Sequence, residues 1–215
     1  TATNSPNYRY RLTADFLDII RRGGGKKAVS DFLARHESLV DKYAVKRNMR
    51  QVPITVNGRV LHFSTGKHNE LQKAIIEEFG PRFAPGAECL YVGDTTKRDM
   101  VKNEAALARL GFEITLHDKM PDVVLYDAAK DWIFFIESVT SVGPMDDKRM
   151  VELAALTAGV RSGKIFVTAF PDFKTFKRFS EQLAWETEVW IAEMPDHMIH
   201  LNGDKFLGPR PTTGK

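Results

Sequence analysis

Cysteine is nearly absent from the 215 residues of this chain, whose single thiol is Cys89. One cysteine cannot form an internal disulfide bond or a thiolate-rich zinc site, and this usage is typical of a reducing compartment, so we expect a cytoplasmic protein. Long apolar runs are missing as well: the longest is the five residues Trp132–Ile136, whereas a membrane-spanning helix needs roughly 20. The sequence therefore predicts no membrane span.

The sequence also lacks the short motifs of several enzyme classes. The phrase LYVGD, from Leu90, has no glycine-rich loop of the kind that binds dinucleotides or methyl donors, and neither a P-loop nor a G-x-S-x-G motif occurs. A hydrophobic content of 43% and a charged content of 27% are typical of a folded globular protein of one large domain or one and a half. The polar N-terminus without an initiating Met indicates a processed or truncated chain rather than a secretory leader.

Positive charge is concentrated in the first third of the chain. Residues 1–66 hold 12 Lys and Arg against 5 Asp and Glu, whereas residues 67–215 hold 19 against 23. A basic part joined to an acidic part is the pattern of a polyanion-binding module attached to a carboxylate-bearing module. Ordinary surface charge is the alternative.

The basic part has the pattern of two helices joined by a glycine turn and followed by a hairpin. Apolar residues recur at helical spacing from Leu12 to Ile20, where Thr13 or Asp15 can cap the helix, and a second stripe follows the glycines at 23–25. Two β-prone runs then flank Asn57-Gly58, a strong hairpin signal. This order predicts a winged-helix-like segment, with a solvated helical surface as the alternative. We expect DNA contacts from its cations Arg21, Arg22, Lys26, Lys27, Arg47 and Arg50.

From residue 64 onward, apolar strands alternate with amphipathic helices. The runs Val123–Tyr126 and Trp132–Val139 are apolar on both faces and therefore predict strands that are covered on both sides. Helices are expected at residues 68–79, 147–158 and 173–184, and further strands at 89–92, 165–170 and 187–192. This order predicts an α/β fold with a central mixed sheet flanked by helices.

Two acids lie opposite each other when the middle of this region is paired as a hairpin. In PDVVLYDAAKDWIFFIESV, from Pro121, a four-residue loop at Ala128–Asp131 places Asp122 opposite Glu137, with Cβ atoms about 5 Å apart. Because like charges at this distance repel, a cation between them is expected, and two carboxylates favour a hard divalent ion, Mg²⁺. The alternative is a hairpin whose Asp122 follows a turn proline and whose Glu137 pairs with a lysine.

Pro-Asp at a strand start, followed across a hairpin by Glu in an apolar strand, resembles the PD-(D/E)xK nuclease motif. The longer phrases GKHNELQKAIIEEFGPRFAPG, IESVTSVGPMDDKRMVEL and WETEVWIAEMPDHMIHLNGDKFLGP, with LYVGDTTK and FVTAFPD, resemble the BsuBI/PstI family of type II restriction endonucleases from about Ser64 to Pro209. The resemblance implies a nuclease domain over residues 64–215, and it implies that residues 1–63 are the end of a larger winged-helix-like DNA-binding domain.

The resemblance also implies which residues act in the nuclease site. Asp122 and Glu137 become the metal-binding acids, and Val139 stands where this nuclease class usually has Lys. Lys148 and Arg149, in the first turn of the next helix, are the candidate replacement cations, because a scissile phosphate would offset their unfavourable place in the helix dipole. Salt bridges to Asp146 or Glu152 are the alternative for them.

Further site residues are expected from the same resemblance and from position. Glu70 matches a place from which related enzymes supply another catalytic acid, and Asp94 follows a strand that ends near the pair and is a further metal ligand, although capping or surface roles compete for both. His197 and His200 are three residues apart in an extended segment and so face opposite ways, which argues against a shared zinc. We expect His197, His200 and Asn202 to contact DNA. The cations Lys174, Lys177 and Arg178 contact phosphate or form a solvated face.

The implied function is Mg²⁺-dependent hydrolysis of double-stranded DNA at a short palindrome, for which the family target is CTGCAG, cut to leave 3′ overhangs. A palindrome cut on both strands implies a homodimer. The resemblance also implies a cognate methyltransferase in the same system that forms no stable complex. Two alternatives are an inactive nuclease-like module that only binds DNA, and a nuclease that acts on RNA or branched DNA.

Overall fold

The computed structural model describes residues 11–35, 51–95, 99–112, 119–141 and 143–202. The chain forms two compact units that divide after Arg50. None of the helices in these ranges is long and apolar enough to cross a membrane.

The first unit contains the two predicted helices, α1 (Ala14–Arg21) and α2 (Lys26–Arg35). The hydroxyl of Thr13 accepts a hydrogen bond from the amide of Phe16, so Thr13 rather than Asp15 is the N-cap. The aromatic rings of Phe16 and Phe32 join the helices, with centroids 5.0 Å apart. The predicted DNA contacts in this part, Arg21, Arg22, Lys26 and Lys27, are exposed, whereas Arg47 and Arg50 lie outside the described residues.

The second unit begins with the predicted hairpin and continues as alternating helices and strands. Its strands are β1 (Val52–Val56), β2 (Arg59–Phe63), β3 (Glu88–Gly93), β4 (Asp99–Lys102), β5 (Val123–Asp127), β6 (Trp132–Ser138), β7 (Gly163–Phe170), β8 (Thr187–Ile191) and β9 (Met198–Leu201). Its helices are α3 (Lys67–Ala74), α4 (Gly80–Phe83), α5 (Glu104–Arg109), α6 (Asp147–Leu156) and α7 (Phe173–Phe179), with a π-helical turn at Ile75–Phe79 and a 3₁₀ turn at Ser180–Gln182.

Seven strands form one mixed sheet in the order β4-β3-β5-β6-β7-β8-β9. Strands β6, β7 and β8 are parallel, and the remaining pairs are antiparallel. The parallel strands are joined by α6 and α7, as crossover connections require. The predicted α/β fold with a central mixed sheet flanked by helices is therefore confirmed.

Apolar side chains cover both faces of the sheet. Alternate residues of β7 divide between the faces: Val167 and Ala169 pack with α3 and the hairpin, whereas Phe166 and Phe170 pack with residues of α6 and α7. The C-terminal ends of β6 and β7 lie at the same rim because the two strands are paired from Trp132 to Ser138.

The hairpin β1–β2 belongs to the sheet unit. Ile54, Val56 and Phe63 are buried in its main core, and the amide nitrogen of Asn57 donates a 2.9 Å hydrogen bond to the Cys89 carbonyl. The chain therefore divides after residue 50, earlier than the expected division after residue 63. The sequence predicted that this hairpin is the wing at the end of the helical segment. In the structure its apolar face instead packs in the core of the sheet unit.

Some element boundaries also differ from the predictions. The helix expected to end at residue 79 changes to a π-helical turn at Ile75, and the helix expected over 173–184 ends as a helix at Phe179 before the 3₁₀ turn. Strand β4 was not predicted, because DMVK is short, half polar and paired on one edge only.

Candidate active site

The two predicted acids meet at the rim of the sheet, and the hairpin register predicted for them is confirmed. Val123 pairs with Ile136 and Asp127 with Trp132, which leaves the predicted loop Ala128–Asp131 between the strands. Asp122 directly precedes β5 and lies beside Glu137 of β6. One carboxylate oxygen of Asp122 accepts a 2.8 Å hydrogen bond from the backbone amide of Ser138, which fixes the carboxylate against the end of β6.

Glu137 is an acid in a largely buried position, with a side chain that is 11% exposed. Burial and the negative charge of Asp122 raise its pKa, whereas Arg149 and His68 act in the opposite direction. Two carboxylates that repel each other in a partly dry site form a place where a cation binds with little competition from solvent.

Arg149 supplies one positive charge to this place. Its Nε donates a 2.7 Å hydrogen bond to Oε1 of Glu137, and the rest of the guanidinium donates to Glu152 at 3.1 Å and to the Lys119 carbonyl at 2.9 Å. The side chain is 13% exposed, so the ion pair is nearly buried. These three contacts fix the guanidinium and orient Glu137.

Lys148 has a different position although it is the next residue. Its side chain is 83% exposed and its Nζ lies 3.9 Å from Glu152. One residue turns a helix by about 100°, which directs Arg149 towards β6 and Lys148 towards solvent. Both Lys148 and Arg149 form the alternative salt bridge to Glu152, and of the two Arg149 also contacts Glu137. Asp146, the other alternative partner, caps α6 by accepting a hydrogen bond from the Arg149 backbone amide.

Val139, which stands at the usual lysine position of the class, is fully buried. It packs with Phe170, Phe179, Val189 and Ile191 on the face that α7 covers. A lysine at this position would have to place its ammonium group in an apolar cluster, so the cations of this site come from other elements.

One residue of the site, His68, was not predicted from the sequence. It lies in the first turn of α3, and its Nε2 is 3.3 Å from Oδ1 of Asp122. The hydrogen bond with Asp122 raises its pKa, burial opposes this rise, and the charge of Glu137 adds to it. The sequence places the polar residues His68 and Gln72 one helical turn apart, a spacing that puts them on the same face of α3. In the structure their side chains lie 3.3 Å apart.

Glu70 does not join this group of side chains. It is exposed, and on a helix it points about 160° away from His68, which faces Asp122. The structure therefore brings His68, and not the predicted Glu70, from α3 to the acid pair.

Asp94 reaches the same edge of the sheet as predicted, but its contacts differ from those of a metal ligand. Its carboxylate accepts hydrogen bonds from the amide and hydroxyl of Ser64 at 2.7 and 2.8 Å and from the side-chain amide of Asn69 at 2.9 Å. These bonds hold the start of α3, which carries His68. The expected metal-ligand role gains no support from these contacts.

The predicted DNA contacts His197, His200 and Asn202 lie away from the acid pair. Strand β9 is an edge strand of the sheet, separated from β6 by β7 and β8, and Nδ1 of His200 contacts the Glu188 carboxylate there. His197 lies in the turn before β9, and Asn202 follows this strand.

The donor chemistry of the site fits a hard divalent cation. Asp122 and Glu137 offer carboxylate oxygens, and the neighbouring Ser138 hydroxyl is buried without a hydrogen-bond partner in the described part of the chain. Within those same residues, no group of three or more His, Cys, Asp or Glu side chains forms a metal-binding cluster. A hard divalent ion takes about six oxygen ligands, so two carboxylates would leave positions for water and phosphate oxygen.

The seven-stranded mixed sheet flanked by helices matches the fold of a solved restriction endonuclease. The structure of SdaI restriction endonuclease superposes with a TM-score of 0.71 at 37% sequence identity, covering 97% of this chain and 67% of that one. The family model for the BsuBI/PstI restriction endonuclease domain matches residues 52–204. The chain belongs to this family.

Two relatives match nearly the whole chain. The type II restriction enzyme BsuBI of Bacillus subtilis is 42% identical over 210 residues, and the type II restriction enzyme AplI of Arthrospira platensis is 31% identical over 216 residues. The alignments cover 96% and 95% of this chain. The chain spans 66% of the length of each of these two relatives.

Proposed function

We propose that this protein is a type II restriction endonuclease that hydrolyses phosphodiester bonds of double-stranded DNA with the help of Mg²⁺. The observation that carries the proposal is the pairing of Asp122 and Glu137 at the rim of the sheet, with Arg149 bound to Glu137. Membership of a restriction endonuclease family and the match to SdaI support the same reaction class.

In the reaction, water attacks the scissile phosphorus, the bond to O3′ breaks, and the departing oxygen takes up a proton. The products are a 5′-phosphate and a 3′-hydroxyl. Asp122 and Glu137 would hold the divalent ion, which when bound supplies Lewis acidity to the phosphate and lowers the pKa of the attacking water.

The other side chains of the site position these groups. Arg149 orients Glu137 through the Nε hydrogen bond, and its charge opposes the raising effect of burial on the pKa of Glu137. His68 and the Ser138 amide hold the two oxygens of Asp122. Lys148, exposed in the first turn of α6, is free to approach a phosphate oxygen and would balance the charge that develops there.

The finer features of the function rest on the family resemblance. We propose a palindromic target, CTGCAG, cut to leave 3′ overhangs by a homodimer whose twofold symmetry matches the two half-sites. The helical first unit would contribute DNA contacts through its exposed cations, and a separate methyltransferase without a stable complex would protect the host's own sites. A cytoplasmic location follows from this substrate.

The test is cleavage of supercoiled plasmid in Mg²⁺ and in EDTA, with plasmids that contain or lack CTGCAG. Linear product is expected only with Mg²⁺ and the site. Asp122→Asn should abolish cutting while most of the affinity for DNA remains. Asp127→Asn, at the other end of β5, is the matched control, because asparagine can still cap the loop amides of Ala129 and Lys130 and cutting should persist.

A second candidate function is a nuclease-like module that binds DNA without cutting it, and the observation that favours it is Val139. Its buried apolar position removes the usual lysine of the class from the site. Plasmid that stays intact with Mg²⁺, together with tight binding of duplex DNA, would favour this module over the enzyme. Equal loss of cutting and of DNA affinity in Asp122→Asn would instead make Asp122 a structural residue.

A further inference from the structure

Helix α7 has an exposed face on which every charged residue is positive. Its sequence FKTFKRF contains three cations and no acid. Phe173, Lys174, Lys177 and Arg178 are exposed, and at about 100° per residue they cover one continuous arc of the helix, whereas Phe179 is buried on the opposite side.

In the described ranges none of the three cations of α7 forms a salt bridge. Lys177 lies 5.4 Å from the ring centre of Phe173, and Arg178 stacks on Phe179. At the helix start, Asp172 interacts with the charge of Lys174 and also accepts a hydrogen bond from the Thr175 amide. Glu193 likewise accepts one from the Phe173 amide. Like charges three and four residues apart repel, so this face gains stability when a polyanion covers it.

The position of α7 places this face beside the acid pair. The helix follows β7, whose Ala169 pairs with Ser138 directly after Glu137. Near the other end of the helix, Arg178 donates a 3.2 Å hydrogen bond to the carbonyl of Thr140, three residues beyond Glu137.

The start of α7 is also close to α3. The pKa of Asp172 is lowered chiefly by its hydrogen bonds with Thr175, and the charges of Lys174 and Lys67 contribute. Lys67 directly precedes His68, which contacts Asp122. Lys67 is therefore a further cation near the start of α7, next in sequence to a residue that contacts the acid pair.

We propose that Lys174, Lys177 and Arg178 form a contact surface for the sugar-phosphate backbone of duplex DNA next to the scissile bond. Lys174 and Arg178 are one turn apart, about 6 Å along the axis, which suits contact with neighbouring phosphates of one strand. The surface positions the strand and reads no base. The proposal rests on the proposed nuclease function and adds where the substrate lies on the nuclease domain.

The experiment measures binding of a CTGCAG duplex to the complete chain in EDTA, by fluorescence anisotropy at salt concentrations from 50 to 200 mM. The test variant is Lys174→Gln/Lys177→Gln/Arg178→Gln. The matched control, Arg109→Gln/Lys130→Gln/Arg161→Gln, removes three exposed cations from the opposite rim, where the β5–β6 loop and the approach to β7 lie. Both variants change the net charge equally.

We expect the slope of the logarithm of the binding constant against the logarithm of salt concentration to fall by about two to three units in the test variant, because each lost phosphate contact removes roughly 0.9. At 100 mM salt the test variant should bind at least about tenfold more weakly than the wild type. The control should lose less than one unit. The charge-conserving variant Lys174→Arg/Lys177→Arg/Arg178→Lys should bind as the wild type does, which separates lost charge from lost folding. Equal losses in test and control variants, or no loss in the test variant, would overturn the proposal.

Plasmid cleavage by the wild type distinguishes this proposal from the proposed function. A wild type that cuts DNA while the test variant binds like the control contradicts only the contact surface. A wild type that binds DNA but never cuts it, with weak binding by the test variant, contradicts the hydrolytic function and supports the surface.

Discussion

Replacement of Arg149 by methionine tests whether a buried ion pair organises the acid pair. The pair has a 2.7 Å contact, and its side chains are only 13% and 11% exposed. Removing one partner of a buried ion pair costs about 3–5 kcal/mol because the other charge stays buried. Glu137 can take up a proton instead, so we expect a loss near the lower limit, about 3 kcal/mol in the free energy of unfolding at pH 9.5, where the wild-type carboxyl, with a pKa of about 8, is ionised.

The loss should depend on pH in a defined direction. Arg149 lowers the pKa of Glu137 against the raising effects of burial and Asp122. Without Arg149 the folded protein holds the proton to higher pH, so it binds more protons than the wild type and the stability difference grows as the pH rises. Because the pKa of Glu137 is about 8 in the wild type, this growth begins near pH 8, and the loss at pH 7 should be clearly smaller than at pH 9.5.

The assay is urea unfolding in EDTA, followed by tryptophan fluorescence, because all three tryptophans lie in the sheet unit. A double-mutant cycle with Glu137→Gln should give a coupling of about 1–3 kcal/mol. Lys148→Met is the matched control, and its 83% exposed side chain predicts a change within about 0.5 kcal/mol. A loss below about 1 kcal/mol at both pH values, with additive effects, is the behaviour of an exposed pair and would refute the reasoning.

Three further predictions concern residues around the site and in the core. Asp94→Ala should lower the free energy of unfolding by about 2–3 kcal/mol, because three donors lose their acceptor. Its affinity for Mn²⁺ in calorimetric titration should stay within about twofold of the wild type, and a large loss of affinity would make Asp94 a metal ligand. Burial raises the pKa of Cys89 to about 12, so iodoacetamide at pH 8.5 should label it only after unfolding, and stability should fall as the pH rises above 9; fast labelling of the folded protein would contradict this. Gly111 has φ +90°, and a Cβ there would lie 2.3 Å from the Gly159 carbonyl oxygen, so Gly111→Ala should lower the free energy of unfolding by more than about 3 kcal/mol in thermal unfolding. Gly143 has φ +86° in open space, so Gly143→Ala should lower it by about 1 kcal/mol. Equal losses would be inconsistent with the close backbone contact.

The sequence was sufficient for the acid pair because the information is local. Two apolar runs joined by a four-residue loop have one register that keeps their faces consistent, and this register sets Asp122 beside Glu137. The same locality explains the confirmed alternation of strands and helices, and the cap of α1 is Thr13, one of the two predicted candidates.

The remaining site residues depend on contacts between distant segments. His68 reaches Asp122 across more than fifty residues, and only the packing of α3 on the sheet decides that His68 rather than Glu70 faces the acids. The sequence offered Lys148 and Arg149 together as candidate cations. Which of them contacts Glu137 depends on the rotation of α6 relative to β6, and in the structure it is Arg149. In sequence the hairpin resembles the wing of a winged-helix domain. Its burial in the sheet unit depends on contacts with side chains that are distant along the chain.

The most direct test of the metal centre is a crystal of the protein soaked in Mn²⁺ and measured for anomalous scattering. The account predicts a peak within about 2.5 Å of carboxylate oxygens from both Asp122 and Glu137, which disappears in Asp122→Asn. Acids that lie more than about 8 Å apart with no ion between them would contradict a site built for metal-assisted hydrolysis.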